Sequence, residues 1–304
     1  MRILVVGAGA VGGYFGGRLL EKGEDVTFLV RAERKKQLDK IGLVIESIHG
    51  NVTLQPNTIL AGQLADPFDV ILLSTKAYHL EGAIDSFRQY VGEETLILPL
   101  LNGMLHFDKL TAVFGAEKII GGLCFIESTL DRDGHVIQSS QAQRLLFGER
   151  SGEKSERILK LEGAFSGTKA DILLSDNIYQ ELWHKYLFIA TMSGITTLLR
   201  APIGPIRDEE SGRDAISELL REIVSVMKCI NAPIADEIET IQMRQIDKLG
   251  YQMKSSMQRD MEKNLSVEAD HLHGYLLEIA RKEGIAVPVL ETIYANLKVY
   301  ERMI

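Results

Sequence analysis

Residues 2–23 read RILVVGAGAVGGYFGGRLLEKG, and this stretch decides the fold of the first half of the chain. A run of apolar β-type residues leads into the motif GAGAVG, which opens a helical pattern. This strand–turn–helix order is the context that a dinucleotide-binding GxGxxG motif requires. Gly7 permits the tight turn, Gly9 lets the backbone approach a pyrophosphate, and Gly12 lets the helix pack closely on the strand. The stretch predicts a phosphate site at the helix N-terminus, with a glycine turn that binds nothing as the alternative.

Short β-type runs alternate with helical runs through the rest of the first half. Such runs include VTFLV (26–30), VILLS (70–74) and TLILP (95–99). Strand–helix alternation predicts a parallel sheet covered by helices on both faces. Three more β-type runs within 118–148, with Asp133-Gly134 as a turn signal, predict an antiparallel extension of that sheet.

After about residue 175 the pattern becomes helical. Ser175 or Asp176 is a suitable cap for a helix that runs to about 199, and RAPIGP (200–205) then breaks the chain. Further helical periodicity is found at 211–230, 235–262, 266–283 and 288–303. The predicted fold class is α/β, with an N-terminal Rossmann-like dinucleotide-binding domain (1–170) followed by an all-α C-terminal domain (171–304).

Composition restricts the kinds of partner. The 304 residues carry a net charge of −8 without a basic stripe, which disfavours nucleic acid or an anionic membrane as the main partner. Cys124 and Cys229 are the only cysteines, and they form no metal-ligand pattern. With no long apolar span, the sequence predicts a soluble, cytoplasmic protein without a metal. The long C-terminal helices leave a homodimer open.

The residue after the second strand indicates which cofactor is used. NAD-binding folds usually have Asp or Glu there to hold the ribose 2′-hydroxyl, whereas this chain has Arg31, followed by Arg34, Lys35 and Lys36. A guanidinium can hold a 2′-phosphate through two hydrogen bonds, so NADP(H) is the predicted cofactor. The alternative is that RAERKK is a solvated helix start.

Two other loops follow strands at the edge where open α/β sheets bind ligands. One carries Thr75 and Lys76, and the other carries Asn102 and Gly103. Either loop can also be an ordinary surface loop or turn. Their position at this edge therefore makes these residues candidates for ligand binding.

The segment ELWHKYLFIATMSG (181–194) places one ammonium group, that of Lys185, among apolar neighbours. A helix that is apolar on every side belongs in a core, where an unpaired charge is costly. Either the stem of Lys185 extends to water, or a partner lies elsewhere in the chain. His184, His271 and His273 lack a metal-ligand motif and are interpreted as structural or surface residues.

Taken together, the segments GAGAVGG, STK, LNGM, ELWHKYLF, SSMQRD and VEADHLHGYLLEIARKEGIAVP resemble ketopantoate reductases (2-dehydropantoate 2-reductases) along the whole chain and in the same order. The resemblance implies reduction of ketopantoate to pantoate by NADPH, in pantothenate and coenzyme A biosynthesis. It implies that Lys185 is the catalytic lysine, with Glu268 as its paired carboxylate. The implied substrate contacts are Asn102, Ser256, Ser193 and Ile189. The implied cofactor contacts are Gly7, Gly9, Ala10, Val11, Gly12, Arg31, Thr75, Lys76, Asn102 and Glu268.

The sequence departs from the family pattern where that pattern has polar substrate contacts. Family asparagines are replaced by Ile189, Ser193, Ile203 and Met253. A site that hydrogen-bonds its substrate discriminates strongly, and apolar replacements cannot do so. Three hypotheses therefore remain open: a ketopantoate reductase, a reductase of another, more apolar 2-oxo acid, and a non-catalytic NADP(H) sensor.

Overall fold

The computed structural model describes residues 1–304, which divide into two compact units. The first unit comprises Met1–Leu101 and His106–Tyr179. The second comprises Asn102–Leu105 and Gln180–Ile304. The short segment Asn102–Leu105 thus belongs to the helical unit, although the chain on both sides of it belongs to the first unit.

The first unit contains strands and helices in alternation. Its strands are β1 (Arg2–Val6), β2 (Asp25–Leu29), β3 (Leu43–Ser47), β4 (Val52–Leu54), β5 (Asn57–Ile59), β6 (Phe68–Leu73), β7 (Val91–Pro99), β8 (Gly121–Leu130), β9 (Val136–Gly148) and β10 (Asp171–Leu174). Its helices are α1 (Ala10–Lys22), α2 (Ala32–Ile41), α3 (Leu80–Phe87), α4 (Leu105–Phe114) and α5 (Glu156–Phe165). Short 3₁₀ turns at Ala77–His79, Arg88–Tyr90 and Ala116–Lys118 complete it.

A five-stranded parallel sheet in the order β5-β2-β1-β6-β7 confirms the predicted α/β fold. Of its three inner strands, β1 and β6 consist mostly of fully buried aliphatic residues. This composition is expected where helices cover both faces of a parallel sheet. Because all five strands run in one direction, their carboxyl ends lie along one edge, which carries the glycine motif.

The predicted antiparallel pairing within 118–148 is confirmed, but the strands differ from the prediction in two respects. The strands β8 and β9 do pair in antiparallel fashion, but they belong to a second sheet with β10, β3 and β4. In addition, β9 is one strand rather than two. Its middle residues Ser139–Ala142 interrupt the apolar pattern and coincide with a shift of register in the ladder with β8, while the residues on both sides of them remain paired. The turn between β8 and β9 contains Gly134 in a left-handed conformation (φ +78°), as the turn signal predicted.

The second unit is helical. Its helices are α6 (Ile178–Leu199), α7 (Ile203–Asp208), α8 (Glu210–Cys229), α9 (Ile238–Asp247), α10 (Ser256–Glu262), α11 (Tyr275–Glu283) and α12 (Pro288–Glu301). A π-helical turn, Asp270–Gly274, leads directly into α11. None of the helices combines the length and apolar character that crossing a lipid bilayer demands.

The single helix predicted over 235–262 is instead two helices, α9 and α10. The guanidinium of Arg207 donates to the backbone carbonyl groups of Ile246, Asp247 and Leu249, and so satisfies the end of α9. The hydroxyl of Ser255 accepts from the backbone N–H of Gln258 and starts α10. These caps stabilise a break that the periodicity of the sequence does not reveal.

Candidate active site

The glycine turn after β1 is packed too tightly for side chains at two of its positions. Gly7 has φ +97°, and a Cβ atom there would lie 2.2 Å from the carbonyl oxygen of Ser74. A Cβ atom on Gly12 would lie 2.1 Å from the carbonyl oxygen of Gly7. Gly9 differs, because its extended backbone (φ −86°) suits any residue and a Cβ atom would meet nothing within 4 Å. The space beside Gly9 is therefore open to a ligand.

The start of α1 has the properties of an anion site. Gly9 occupies the N-cap position, no side chain caps the helix, and the first turn contains no acidic residue. The free N–H groups and the positive end of the helix dipole thus suit phosphate. Beside this turn, the hydroxyl of Thr75 is buried and has no hydrogen-bond partner. The methyl group of Thr75 lies 3.3 Å from the Cβ position of Gly7, so the structure brings these predicted residues together. Lys76 follows them, half-buried.

Two arginines near this edge of the sheet have different surroundings. Arg31 is exposed at the start of α2, and its charge adds to burial in lowering the pKa of His79. Arg34, which the sequence analysis gave only as part of the basic run after Arg31, donates from Nε to the carbonyl oxygen of Ala8 at 3.1 Å and from Nη1 to that of Gly134 at 2.8 Å. Its Nη2 is buried without a partner, and burial lowers its pKa. Arg34 thus holds the glycine turn in place through Ala8, and its Nη2 group is still able to donate a hydrogen bond.

These observations meet the requirements of a dinucleotide cofactor. A tightly packed glycine turn, an uncapped helix start, the orphaned hydroxyl of Thr75 and the guanidinium of Arg34 adjoin at one sheet edge. Arg31 begins α2 at the same edge. No carboxylate stands at position 31, where a ribose 2′-hydroxyl would need one.

In the helical unit, α6 presents Lys185, Ile189 and Ser193 at intervals of four residues, which places them on one face. Lys185 is only 8% exposed and Ser193 only 1%, whereas Ile189 is half-buried. Further along α6, the hydroxyl groups of Thr196 and Ser255 lie 2.8 Å apart. This contact brings the start of α10 next to the same helix.

The serines and the replaced family positions are not equally accessible. Ser255 is engaged by Thr196 and caps α10, whereas Ser256, the first residue of α10, is exposed. Met253 is 38% exposed, and its carbonyl oxygen accepts from the N–H of Ile203. The side chain of Ile203 is fully buried and offers no surface to a ligand. Apolar contact surface thus comes from Met253 and Ile189.

Two hydrogen bonds bring the region of Lys185 beside the region of Glu268. The hydroxyl of Tyr186 donates to the carbonyl oxygen of Leu272, and Nε2 of His273 hydrogen-bonds the carbonyl oxygen of Ala190 at 2.9 Å. Glu268 is half-buried at the start of the same helical segment, where its carbonyl oxygen accepts from the N–H of Leu272. The π-helical turn is therefore hydrogen-bonded to α6 at Tyr186 and at Ala190, both of which follow Lys185 in that helix.

Asn102 joins this group through its backbone. Its carbonyl oxygen lies 2.7 Å from Nε2 of His271, and Gly103 follows with φ +83°. A Cβ atom on Gly103 would come within 3.0 Å of both His271 and Leu272. The structure thus sets the Asn102 loop directly against the π-helical turn, a contact across 169 positions that no local pattern signals.

The three histidines are hydrogen-bonded within the fold. His184 accepts from the N–H of Ala235 at Nε2, and burial lowers its pKa. His273 is fully buried, and burial lowers its pKa to about 4, so its ring is neutral. These contacts agree with the structural interpretation, although His271 adds a contact to a predicted site residue.

Comparison with protein-family models gives two matches that together span most of the chain. Residues 3–152 match the family described as ketopantoate reductase PanE/ApbA. Residues 177–301 match the ketopantoate reductase PanE/ApbA C-terminal family.

Similar proteins cover the chain from end to end. It is 50% identical to YkpB, described as an uncharacterized oxidoreductase of Bacillus subtilis (strain 168), over 99% of both chains. A 2-dehydropantoate 2-reductase structure from Geobacter metallireducens GS-15 superposes with a TM-score of 0.87, 30% identity and coverage of 98% of this chain and 99% of the other. A D-mandelate dehydrogenase bound to NADH and anilino(oxo)acetate shares the fold, with a TM-score of 0.87, 21% identity and coverage of 100% and 99%.

Proposed function

The chain belongs to the ketopantoate reductase family and is an oxidoreductase of that type, and from this premise we propose that it reduces ketopantoate to pantoate with NADPH. Lys185 is the general acid of this reaction, and Glu268 supports it. The reaction takes place in the cytoplasm and supplies pantothenate and coenzyme A biosynthesis.

The observation that carries the proposal is the buried ammonium of Lys185. A lysine that is 8% exposed in an apolar helix costs stability unless its charge is compensated. The hydrogen bonds from Tyr186 to Leu272 and from His273 to Ala190 hold the turn after Glu268 against α6, which supports a pairing of the two charges. Because burying this ammonium group is costly, its presence in the interior supports a functional role for the charge.

That task is proton transfer to a ketone. Bound NADPH supplies the hydride that reaches the carbonyl carbon. As negative charge develops on the carbonyl oxygen, the ammonium of Lys185 stabilises it and donates the proton that completes the hydroxyl group. Glu268 compensates the buried charge of Lys185 and orients its ammonium group. Asn102 and Ser256 orient the 2-oxo acid, and Ser256 holds its carboxylate.

The cofactor is held by the glycine turn and the residues beside it. Gly7, Gly9, Ala10, Val11 and Gly12 form the turn and the start of α1 that receive the pyrophosphate. Thr75 and Lys76 approach from the end of β6. Arg31 holds the 2′-phosphate, and Arg34 keeps the turn in place with one donor to spare.

The preference for NADPH predicts that replacing Arg31→Ala weakens NADPH binding about 10- to 100-fold and leaves NADH binding almost unchanged. A charge-assisted hydrogen bond contributes about 1.5–3 kcal/mol, and only NADPH carries the phosphate that receives it. Cofactor fluorescence titration measures both dissociation constants. Lys36→Ala is the matched control, because Lys36 is exposed on the same helix and paired with Glu33 at 2.9 Å. Equal loss of both cofactors would show that Arg31 does not read the phosphate.

A second candidate substrate is a more apolar 2-oxo acid. Ile189 and Met253 offer apolar surface where the family has polar groups. The ternary structure of D-mandelate dehydrogenase, which shares this fold, contains anilino(oxo)acetate, a compound with an aromatic ring. An apolar wall of this kind accepts bulky hydrocarbon groups but cannot discriminate through hydrogen bonds.

A panel of 2-oxo acids separates the candidates. NADPH oxidation is followed with ketopantoate, a branched aliphatic 2-oxo acid and phenylglyoxylate. We expect the highest kcat/KM with ketopantoate. Turnover confined to the apolar acids would assign the second substrate class instead, and tight NADPH binding without turnover of any acid would indicate a sensor.

A further inference from the structure

The π-helical turn Asp270–Gly274 is bonded in three directions. His271 reaches the Asn102 loop, His273 reaches α6, and the carboxylate of Asp270 accepts from the hydroxyl of Tyr294 on α12 at 2.7 Å. π-helical turns are less stable than α-helix and are frequent at functional sites. This one begins at Asp270, two residues after Glu268.

The contact between His271 and the loop is close and directional. A carbonyl oxygen only accepts hydrogen bonds, so Nε2 of His271 carries a proton and donates it to Asn102. The imidazole packs against the backbone of Gly103, where a Cβ atom would come within 3.0 Å of the ring. His271 is only 6% exposed, which strengthens this hydrogen bond relative to one in water.

We propose that His271 is a positioning residue, which holds Asn102 in register with the turn that follows Glu268. This inference rests on the proposed function, in which Asn102 orients the 2-oxo acid. The Nε2–H bond fixes the backbone of Asn102, and the backbone in turn sets where its amide side chain points. Neither ring nitrogen needs to touch substrate or cofactor for this role.

Removal of the His271 hydrogen bond should disturb the orientation of Asn102 and leave the proton donor of the reaction in place. A displacement of about 1 Å in an orienting group can cost about 100-fold in rate. Removal of the donor should therefore lower kcat, while the glycine turn and Arg31, which hold the cofactor, remain intact.

The test compares His271→Leu with His271→Gln. Leucine fills the space without a donor, whereas the amide nitrogen of glutamine can take the place of Nε2. We expect His271→Leu to lower kcat about 10- to 100-fold on the best 2-oxo acid, with the NADPH dissociation constant changed less than about 3-fold. His271→Gln should recover most of the rate. Hydrogen exchange at the amides of Gly103 and Met104 should become faster in the leucine variant and stay slow in the glutamine variant.

Tyr294→Phe is the matched control. It removes a hydrogen bond from the same turn, but on the side of α12 and away from the Asn102 loop. We expect kcat and exchange at Gly103 to be unchanged. The inference is overturned if His271→Leu affects kcat no more than Tyr294→Phe does, or if glutamine fails to restore activity while melting temperature and NADPH binding fall together.

Failure of the proposed function would look different. If the wild-type protein turns over no 2-oxo acid, the assigned reaction is wrong, and the exchange rates of Gly103 and Met104 still decide whether His271 holds the loop. Unchanged exchange in His271→Leu would then overturn the positioning role by itself.

Discussion

Replacing Lys185→Met should reduce kcat at least about 1,000-fold and leave NADPH affinity nearly unchanged. A positioned general acid contributes about 10²–10⁴-fold, and the same ammonium also stabilises the developing alkoxide. Methionine preserves the length of the apolar stem, so the packing of α6 is kept. Single-turnover oxidation of NADPH at saturating 2-oxo acid measures the rate of the chemical step, and fluorescence titration measures cofactor binding.

Lys160→Met provides the control for this experiment. Lys160 is exposed on α5 and paired with Glu156 at 3.1 Å, so its loss should change neither rate nor binding. If Lys185→Met loses NADPH binding and melting temperature together with turnover, the lysine holds up the fold and the proposal of a general acid fails. The variant Glu268→Gln changes the proposed partner of Lys185 but keeps the shape of that side chain. It should lower kcat less than Lys185→Met does.

Much of the fold could be predicted because local and tertiary preferences agree. The stretch from β1 into α1 carries its strand, its turn glycines and its helix in one continuous pattern. The three-residue strands β4 and β5 were not predicted, since so few residues cannot display an alternating pattern. The break between α9 and α10 was also missed, because the guanidinium that caps it comes from Arg207, far away in the chain.

The residues of the candidate site also differ in whether a local sequence pattern reveals them. The proposed roles of the glycine turn and Arg31 rest on spacing and residue type, since their chemistry is local to one βαβ unit. Lys185 and Glu268 were identified through family resemblance, because two charges more than eighty positions apart carry no shared pattern. Arg34 and His271 were not singled out for what they do. Each acts through a hydrogen bond to a distant backbone carbonyl, of Ala8 and Asn102, and a carbonyl group has no sequence signature.

The second large effect is expected from Gly9→Asp, which should keep the fold and abolish cofactor binding. The extended backbone of Gly9 and the open space at its Cβ position accept aspartate without strain. Aspartate is a favoured N-cap and complements the helix dipole, so stability should stay equal or rise by about 0.5 kcal/mol. The carboxylate would then occupy and repel the place of a pyrophosphate, weakening NADPH binding at least about 100-fold, which is about 2.7 kcal/mol.

Two companion variants separate the causes. Gly9→Asn has the same size and capping ability without the charge, so the difference between the two variants measures repulsion alone. Gly12→Ala places a methyl group 2.1 Å from the carbonyl oxygen of Gly7, so the turn must move and melting temperature should fall together with binding. Thermal melting and fluorescence titration follow both properties. If Gly9→Asp binds NADPH as tightly as the wild-type protein, the start of α1 is not the phosphate site, because a carboxylate there would have to displace or repel the cofactor.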